Sequence, residues 1–254
     1  MGTFNLMRLL LPEPSRDITV AELVAGLRPF EDPPEDRPRL LTNFVLTVDG
    51  RSTIGGVSGP IGSHRDTEIL VCLRTRVDAV MIGAGTMRAE RYGRVVRDPA
   101  KRARREEEGL APDPLTVIVS GRLDLPWDAP LFTEGHGDVV IFTSSDADAP
   151  DVVTPTRIIR HEQTVDLVAA MRQLRDDLGI RSLLCEGGAH LHAGLLAACL
   201  VDEMFVTRAP KLGGGEGPGL VAGLPETERP LDLAWLAAEP DSGELYARYL
   251  VQSN

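Results

Sequence analysis

Two glycine-marked strand ends carry most of the chemistry legible in this chain: Val77 to Thr86, closing on Gly83-Ala84-Gly85-Thr86, and Ser182 to Ala189, containing Glu186-Gly187-Gly188. In each, a short apolar run passes through glycines into a helical pattern, so free backbone N–H groups at the helix start aim at an anion. Two such turns suit a phosphate-bearing ligand, and a dinucleotide suits them best. Adjacent glycines at 187 and 188 let a ligand reach the backbone without meeting a Cβ. Ser120-Gly121-Arg122 offers a hydroxyl and a guanidinium at another strand end. An arginine there can grip a phosphate through paired hydrogen bonds and so tell NADP from NAD, although a plain turn with an exposed arginine fits equally well. Asp49, between a strand and Gly50, fits a turn-forming aspartate or a carboxylate bonded to a polar ring. Glu186, at its strand end, fits a cleft acid or a cap.

Other chemistries lack an anchor. Gly83 to Arg88 begins as GxGxxG, but Arg88 replaces the third glycine and no acid closes a following strand at the usual distance. Neither GxxxxGK[ST] nor GxSxG occurs. His190 and His192 sit two apart on a helical pattern and face different ways, with no cysteine or carboxylate to complete a set, so no metal is expected. Cys72, Cys185 and Cys199 form no CxxC pair, which fits a reducing cytoplasm. Hydride transfer needs none of these motifs; it needs a nicotinamide placed against a polarised acceptor.

The elements that must position these residues alternate. Residues 1–38, with Pro33, Pro34 and Pro38 among acidic neighbours, read as an arm carrying a short helix over 19–27, ahead of one domain over 39–254. Strands are predicted at 39–47, 77–82, 115–119, 139–143, 156–160, 181–185, 204–207 and 244–251, the last at the sheet edge. Helices are predicted at 64–76, 86–91, 165–178 and 189–198. The charged run from Lys101 to Glu108 reads as a solvated helix rather than a basic clamp. This order implies an α/β fold with a mostly parallel sheet, helices on both faces, and ligands beyond the carboxyl ends of the strands. The chain has 254 residues, 43% of them hydrophobic, enough for a full core. Its net charge of −11 argues against nucleic acid and acidic membrane surfaces as partners. With no apolar run of about 20 residues and no leader pattern, a soluble, unsecreted protein is expected.

Taken in order, Asn43 to Gly50, Asp78 to Thr86, Glu186-Gly187-Gly188, Val201-Asp202-Glu203 and Ala209 to Gly214 resemble the reductase domain of riboflavin biosynthesis, a family similar in fold to dihydrofolate reductase. The resemblance spans roughly residues 39–251. It implies NADPH-dependent reduction of the ribosyl group of a 5-amino-6-(5-phosphoribosylamino)uracil-type substrate to ribityl, with hydride delivered to C1′ of the opened sugar as an imine. By position it implies Gly83, Thr86, Gly187 and Gly188 against the cofactor, with Ser120 and Arg122 near its 2′-phosphate. Asn43, Asp49, Ser63 and Glu186 would line the substrate side, Asp49 orienting the substrate or relaying a proton, and Arg97 would meet the substrate phosphate. A homodimer is also implied. The zinc deaminase often joined to this domain leaves no His-x-Glu or Pro-Cys-x-x-Cys here, so a reductase alone is expected. Where the family continues with Asp-Asp-Pro, this chain reads Ala89-Glu90-Arg91-Tyr92-Gly93. That departure leaves open another pteridine or pyrimidine substrate, such as dihydrofolate, or a non-catalytic NADPH-binding protein.

Overall fold

A computed structural model describes residues 6–12 and 16–252; the rest of the expected arm, residues 1–5 and 13–15, lies outside them. The elements in chain order are β1 (Met7–Leu11), β2 (Arg16–Ile18), α1 (Val20–Leu23), β3 (Arg39–Leu46), α2 (His64–Arg74), β4 (Ala79–Gly83), α3 (Ala84–Glu90), α4 (Pro99–Glu107), β5 (Leu115–Val119), α5 (Pro130–Thr133), β6 (Val139–Thr143), β7 (Thr156–Arg160), α6 (Leu167–Asp176), β8 (Ser182–Cys185), α7 (Ala189–Ala197), β9 (Glu203–Arg208), β10 (Leu231–Ala238) and β11 (Leu245–Val251).

The strands form one sheet in the order β2-β1-β10-β11-β9-β3-β8-β4-β5-β6-β7. From β9 to β7 every pairing is parallel, whereas β11, β10, β1 and β2 add antiparallel strands at one side. The parallel strands are apolar on both sides, because helices cover both faces of the sheet. Leu40, Met81, Val117, Phe142 and Leu183 point to the face packed by Met171 and Leu174 of α6 and Leu195 of α7. Their sequence neighbours point the other way: Leu41, Val80 and Leu184 meet α1 and α2, and Ile82, Ile118 and Ile141 meet Met87 of α3 and Phe132 of α5. This alternation follows from the two-residue period of a strand. No helix among the described residues is long and apolar enough to cross a membrane.

Three features differ from the sequence reading. The segment before residue 38 supplies β1 and β2 to the sheet, and its helix shrinks to α1, closed by a capping box between Thr19 and Glu22. The last strand is interior, since β10 pairs along its outer side. The charged run does form a helix, α4, but Arg105 is fully buried and donates to the carbonyls of Arg74, Val77 and Ala111, tying the helix to the end of α2.

Candidate active site

The site begins where β4 and β8 lie side by side, in parallel, so that their glycine turns touch. Gly83 N–H donates to Gly187 O at 2.7 Å, and Glu186 N–H donates to Met81 O at 2.9 Å. A Cβ at Gly83 would lie 3.2 Å from the Gly188 nitrogen, one at Gly188 would lie 3.1 Å from Thr86 Oγ1, and Gly187 has φ +105°. These three positions therefore need glycine to let the turns pack on each other. Gly85 is different: a Cβ there would meet no atom within 4 Å, so its open side faces free space.

That space is two adjoining clefts at the carboxyl edge of the sheet. The larger, of about 570 Å³, is lined by Asn43 and Phe44 of β3, Asp66 and Leu70 of α2, and Tyr92 and Glu186. The smaller, of about 340 Å³, runs past Val119 and Leu167. Gly85, Thr86, Gly188, Ala189 and His190 border both. Loops close the larger cleft from outside. Arg51 donates to Gly217 O at 2.6 Å and Ser52 Oγ to Pro218 O at 3.0 Å, while the Ser58 hydroxyl and N–H both donate to Glu90 Oε1. Lys211 Nζ donates to Pro60 O and Ile61 O at 2.9 and 2.8 Å.

On the floor of the cleft, Arg74 holds Glu186 through two hydrogen bonds of 2.6 Å, and the Tyr92 hydroxyl donates to Glu186 Oε2 at 2.9 Å. The Glu186 carboxylate is only 3% exposed. Burial works to lower the Arg74 pKa, but the Glu186 charge and hydrogen bonds outweigh it and hold the guanidinium above its ordinary value. Burial and the Glu186 charge push Tyr92 well above its usual range, so its phenol stays a donor. Asp66 is the contrasting acid. Its Oδ1 is buried without a hydrogen-bond partner. Burial, opposed by the Thr207 hydroxyl and helped by the charge of Glu244, pushes its pKa up to about 6.

The residues expected from sequence divide into two groups. Asn43, Thr86, Glu186, Gly187 and Gly188 come together on the larger cleft, and Gly83 joins Thr86 and Gly188 on the smaller. Asp49, Ser63, Arg97, Ser120 and Arg122 line neither cleft. The exposed Asp49 carboxylate accepts from Thr47 Oγ1 at 2.7 Å and from the N–H groups of Gly213 and Gly214 at 2.9 and 2.8 Å. Led by the Gly213 N–H, these donors hold it well below the usual carboxylate range. In this geometry Asp49 is a clasp for the 213–214 loop. Ser63 caps α2 and donates to Glu244. Arg97 and Arg122 are exposed, and Ser120 is buried beside Val119. His192 is buried, stacked on Phe44 at 4.5 Å, with Nδ1 on Leu220 O. Burial pushes the Cys185 thiol up to about 12, which removes it as a nucleophile at neutral pH. Sequence reasoning missed Asp66, Arg74 and Tyr92. Asp66, Leu70 and Arg74 recur every four residues and so share one helix face, a signal obscured by the stronger apolar stripe through Ile69 and Leu73.

Residues 38–241 match the family model described as the RibD C-terminal domain. The chain belongs to the RibD C-terminal domain family. It is 28% identical over 199 residues, 74% of this chain and 87% of the relative, to the 2,5-diamino-6-ribosylamino-4(3H)-pyrimidinone 5′-phosphate reductase of Archaeoglobus fulgidus. Among solved structures it resembles a pyrimidine reductase-like protein from Corynebacterium diphtheriae, with a TM-score of 0.79, 24% identity, and coverage of 93% of this chain and 100% of that one. It also resembles the riboflavin biosynthesis reductase of Saccharomyces cerevisiae, with a TM-score of 0.70, 17% identity, and coverage of 92% and 99%. The fold is thus dihydrofolate-reductase-like, and the chain is a reductase of the riboflavin-biosynthesis type.

Proposed function

We propose that this reductase uses NADPH to convert the ribosyl group of a 5-amino-6-ribosylaminopyrimidine 5′-phosphate to ribityl. The observation that carries the reading is the continuity of the two clefts across Gly85, Thr86 and Gly188. A dinucleotide bound there would be held by Gly85, Thr86 and Gly188, which border both clefts. The fit rests on features of this chain: the open side of Gly85, and the start of α7, whose N-cap Gly188 makes no side-chain hydrogen bond and leaves backbone donors for a phosphate. Bound NADPH supplies the hydride that reduces C1′.

The protein's own part is positional. Asn43 offers both a donor and an acceptor to a pyrimidine edge. Phe44, Leu70 and Ala222 give the cleft apolar walls that exclude water, and the Arg74–Glu186–Tyr92 set fixes its floor. Arg122, exposed beyond the end of β5, is the candidate partner of a 2′-phosphate. Titrating the protein fluorimetrically with NADPH and NADH, before and after Arg122→Ala, tests the cofactor. Tight NADPH, weak NADH and loss of the preference in the variant support the reading; no binding of either nucleotide sinks it.

One observation favours the second reading, a different pyrimidine or a pteridine such as dihydrofolate. The larger cleft is lined by Asp66, Glu90, Glu186 and Glu216 but by no lysine or arginine among the described residues. Such a lining suits a ring rich in N–H donors better than a phosphate. Turnover of the aminopyrimidine phosphate and of dihydrofolate under one set of conditions separates the two.

A further inference from the structure

Among the described acids that line the larger cleft, Asp66 alone has a buried carboxyl oxygen, Oδ1, without a hydrogen-bond partner. Glu186 is gripped by Arg74 and Tyr92, and Glu90 by Ser58. Glu216 belongs to the outer loop that Arg51 holds through Gly217. Asp66 sits in the first turn of α2, capped by Ser63, and borders the cleft beside Leu70. Its placement is matched by the residue before the cap: a Cβ at residue 62 would run into the Asp66 carboxyl, and glycine there leaves it room.

The groups around it leave the carboxyl without a counter-charge. Thr207 approaches from β9 with a hydroxyl. Glu244, just before β11, is negative and is itself bonded by Ser63 and Tyr246. The nearest cation on its own helix, Arg65, is directed to Glu68 and Glu239, and Lys211 is spent on the carbonyls of Pro60 and Ile61. A carboxyl in such a place keeps its proton to higher pH than an exposed one. Because Asp66 is part of the wall of the larger cleft, that proton is held at the edge of the site.

Resting on the reductase reading above, we propose that Asp66 is the acid that completes the reduction, donating its proton to the nitrogen of the C=N bond being reduced. As the hydride, with its two electrons, bonds to carbon, the C=N π pair moves to nitrogen; that nitrogen takes the Asp66 proton. The carboxylate left behind regains a proton from water. The role is the same for the imine of an opened ribosyl group and for a ring imine of a pterin.

The test compares wild type with Asp66→Asn, which keeps the shape but has no proton to give, and Asp66→Glu. Whichever substrate the wild type reduces, Asp66→Asn is expected to lower kcat by about 10²- to 10⁴-fold. KM and the NADPH dissociation constant should change little, and the fall of wild-type kcat at rising pH should disappear; Asp66→Glu should restore part of the rate. Independently of turnover, difference infrared titration of wild type against Asp66→Asn should show a protonated carboxyl that ionises near pH 6. An active wild type whose Asp66→Asn variant keeps kcat within about threefold, or changes KM alone, overturns the proposal. So does an Asp66 already ionised at about pH 5. A wild type that reduces neither substrate overturns the reductase reading instead, and the proton donor with it.

Discussion

Replacing Arg74 by leucine should destabilise this protein far more than an average substitution. The variant strips the Glu186 carboxylate, 3% exposed, of two charge-assisted hydrogen bonds of 2.6 Å and leaves it the Tyr92 hydroxyl alone. It also removes the donor to Val95 O, which helps hold the segment after α3. Breaking a buried pair by removing one partner costs about 3–5 kcal/mol, because the remaining charge stays desolvated. At roughly 2–4 °C per kcal/mol for a chain of this size class, the melting temperature should fall by about 6–20 °C. The double variant Arg74→Leu/Glu186→Leu should recover most of that loss, since no buried charge remains to be compensated. Thermal and urea unfolding of the wild type, both single variants and the double variant form a complete cycle. A single variant that loses less than about 1 kcal/mol, or a double variant as unstable as the sum of the two, would refute the reasoning.

Asp66 makes stability depend on pH in a defined window. Its folded-state pKa is raised to about 6 from an ordinary 3.8, so the folded chain holds a proton that the unfolded chain releases. The contribution is full below about pH 4 and is lost as pH rises through about 6, a span of about 3 kcal/mol that Asp66→Asn should flatten in urea titrations across that range. Asp49→Asn should loosen the 213–214 loop, seen as faster proteolysis there, while NADPH affinity stays near wild type; abolished turnover with an undisturbed loop would return Asp49 to the chemistry. Gly85→Ala should fold at least as well as wild type, since the new methyl meets no protein atom within 4 Å, yet weaken NADPH binding. Gly83→Ala, whose methyl would press on the Gly188 backbone nitrogen at 3.2 Å, should lower the melting temperature instead.

The parallel part of the fold was legible because its strands are apolar on both sides and its helices carry clear stops, as at Gly179 after α6. The antiparallel side was not. Leu231–Ala238 is rich in leucine and alanine, which carry no strand preference, and becomes β10 through its partners β11 and β1. Met7–Leu11 is too short to declare itself before it meets β10. At the site, the glycine turns announced themselves, since backbone geometry leaves a mark on residue type. Asp49 stood out for the same reason, and its carboxylate accepts from the N–H groups of Gly213 and Gly214. Arg74 and Tyr92 come to Glu186 from 112 and 94 residues away, a separation that no local pattern records. Arg105 looked like one more surface charge in a charged run, and only the carbonyls it reaches distinguish it.

The position of the transferred hydride in the product decides whether this chain is a ribosyl reductase. The purified protein would be given NADPH deuterated at the transferred position together with the aminopyrimidine ribosyl phosphate, and the product examined by mass spectrometry and NMR. The expected product is an opened ribityl chain carrying one deuterium on C1′. NADPH left unoxidised, or deuterium found on a ring carbon of a different substrate and none on C1′, would contradict it.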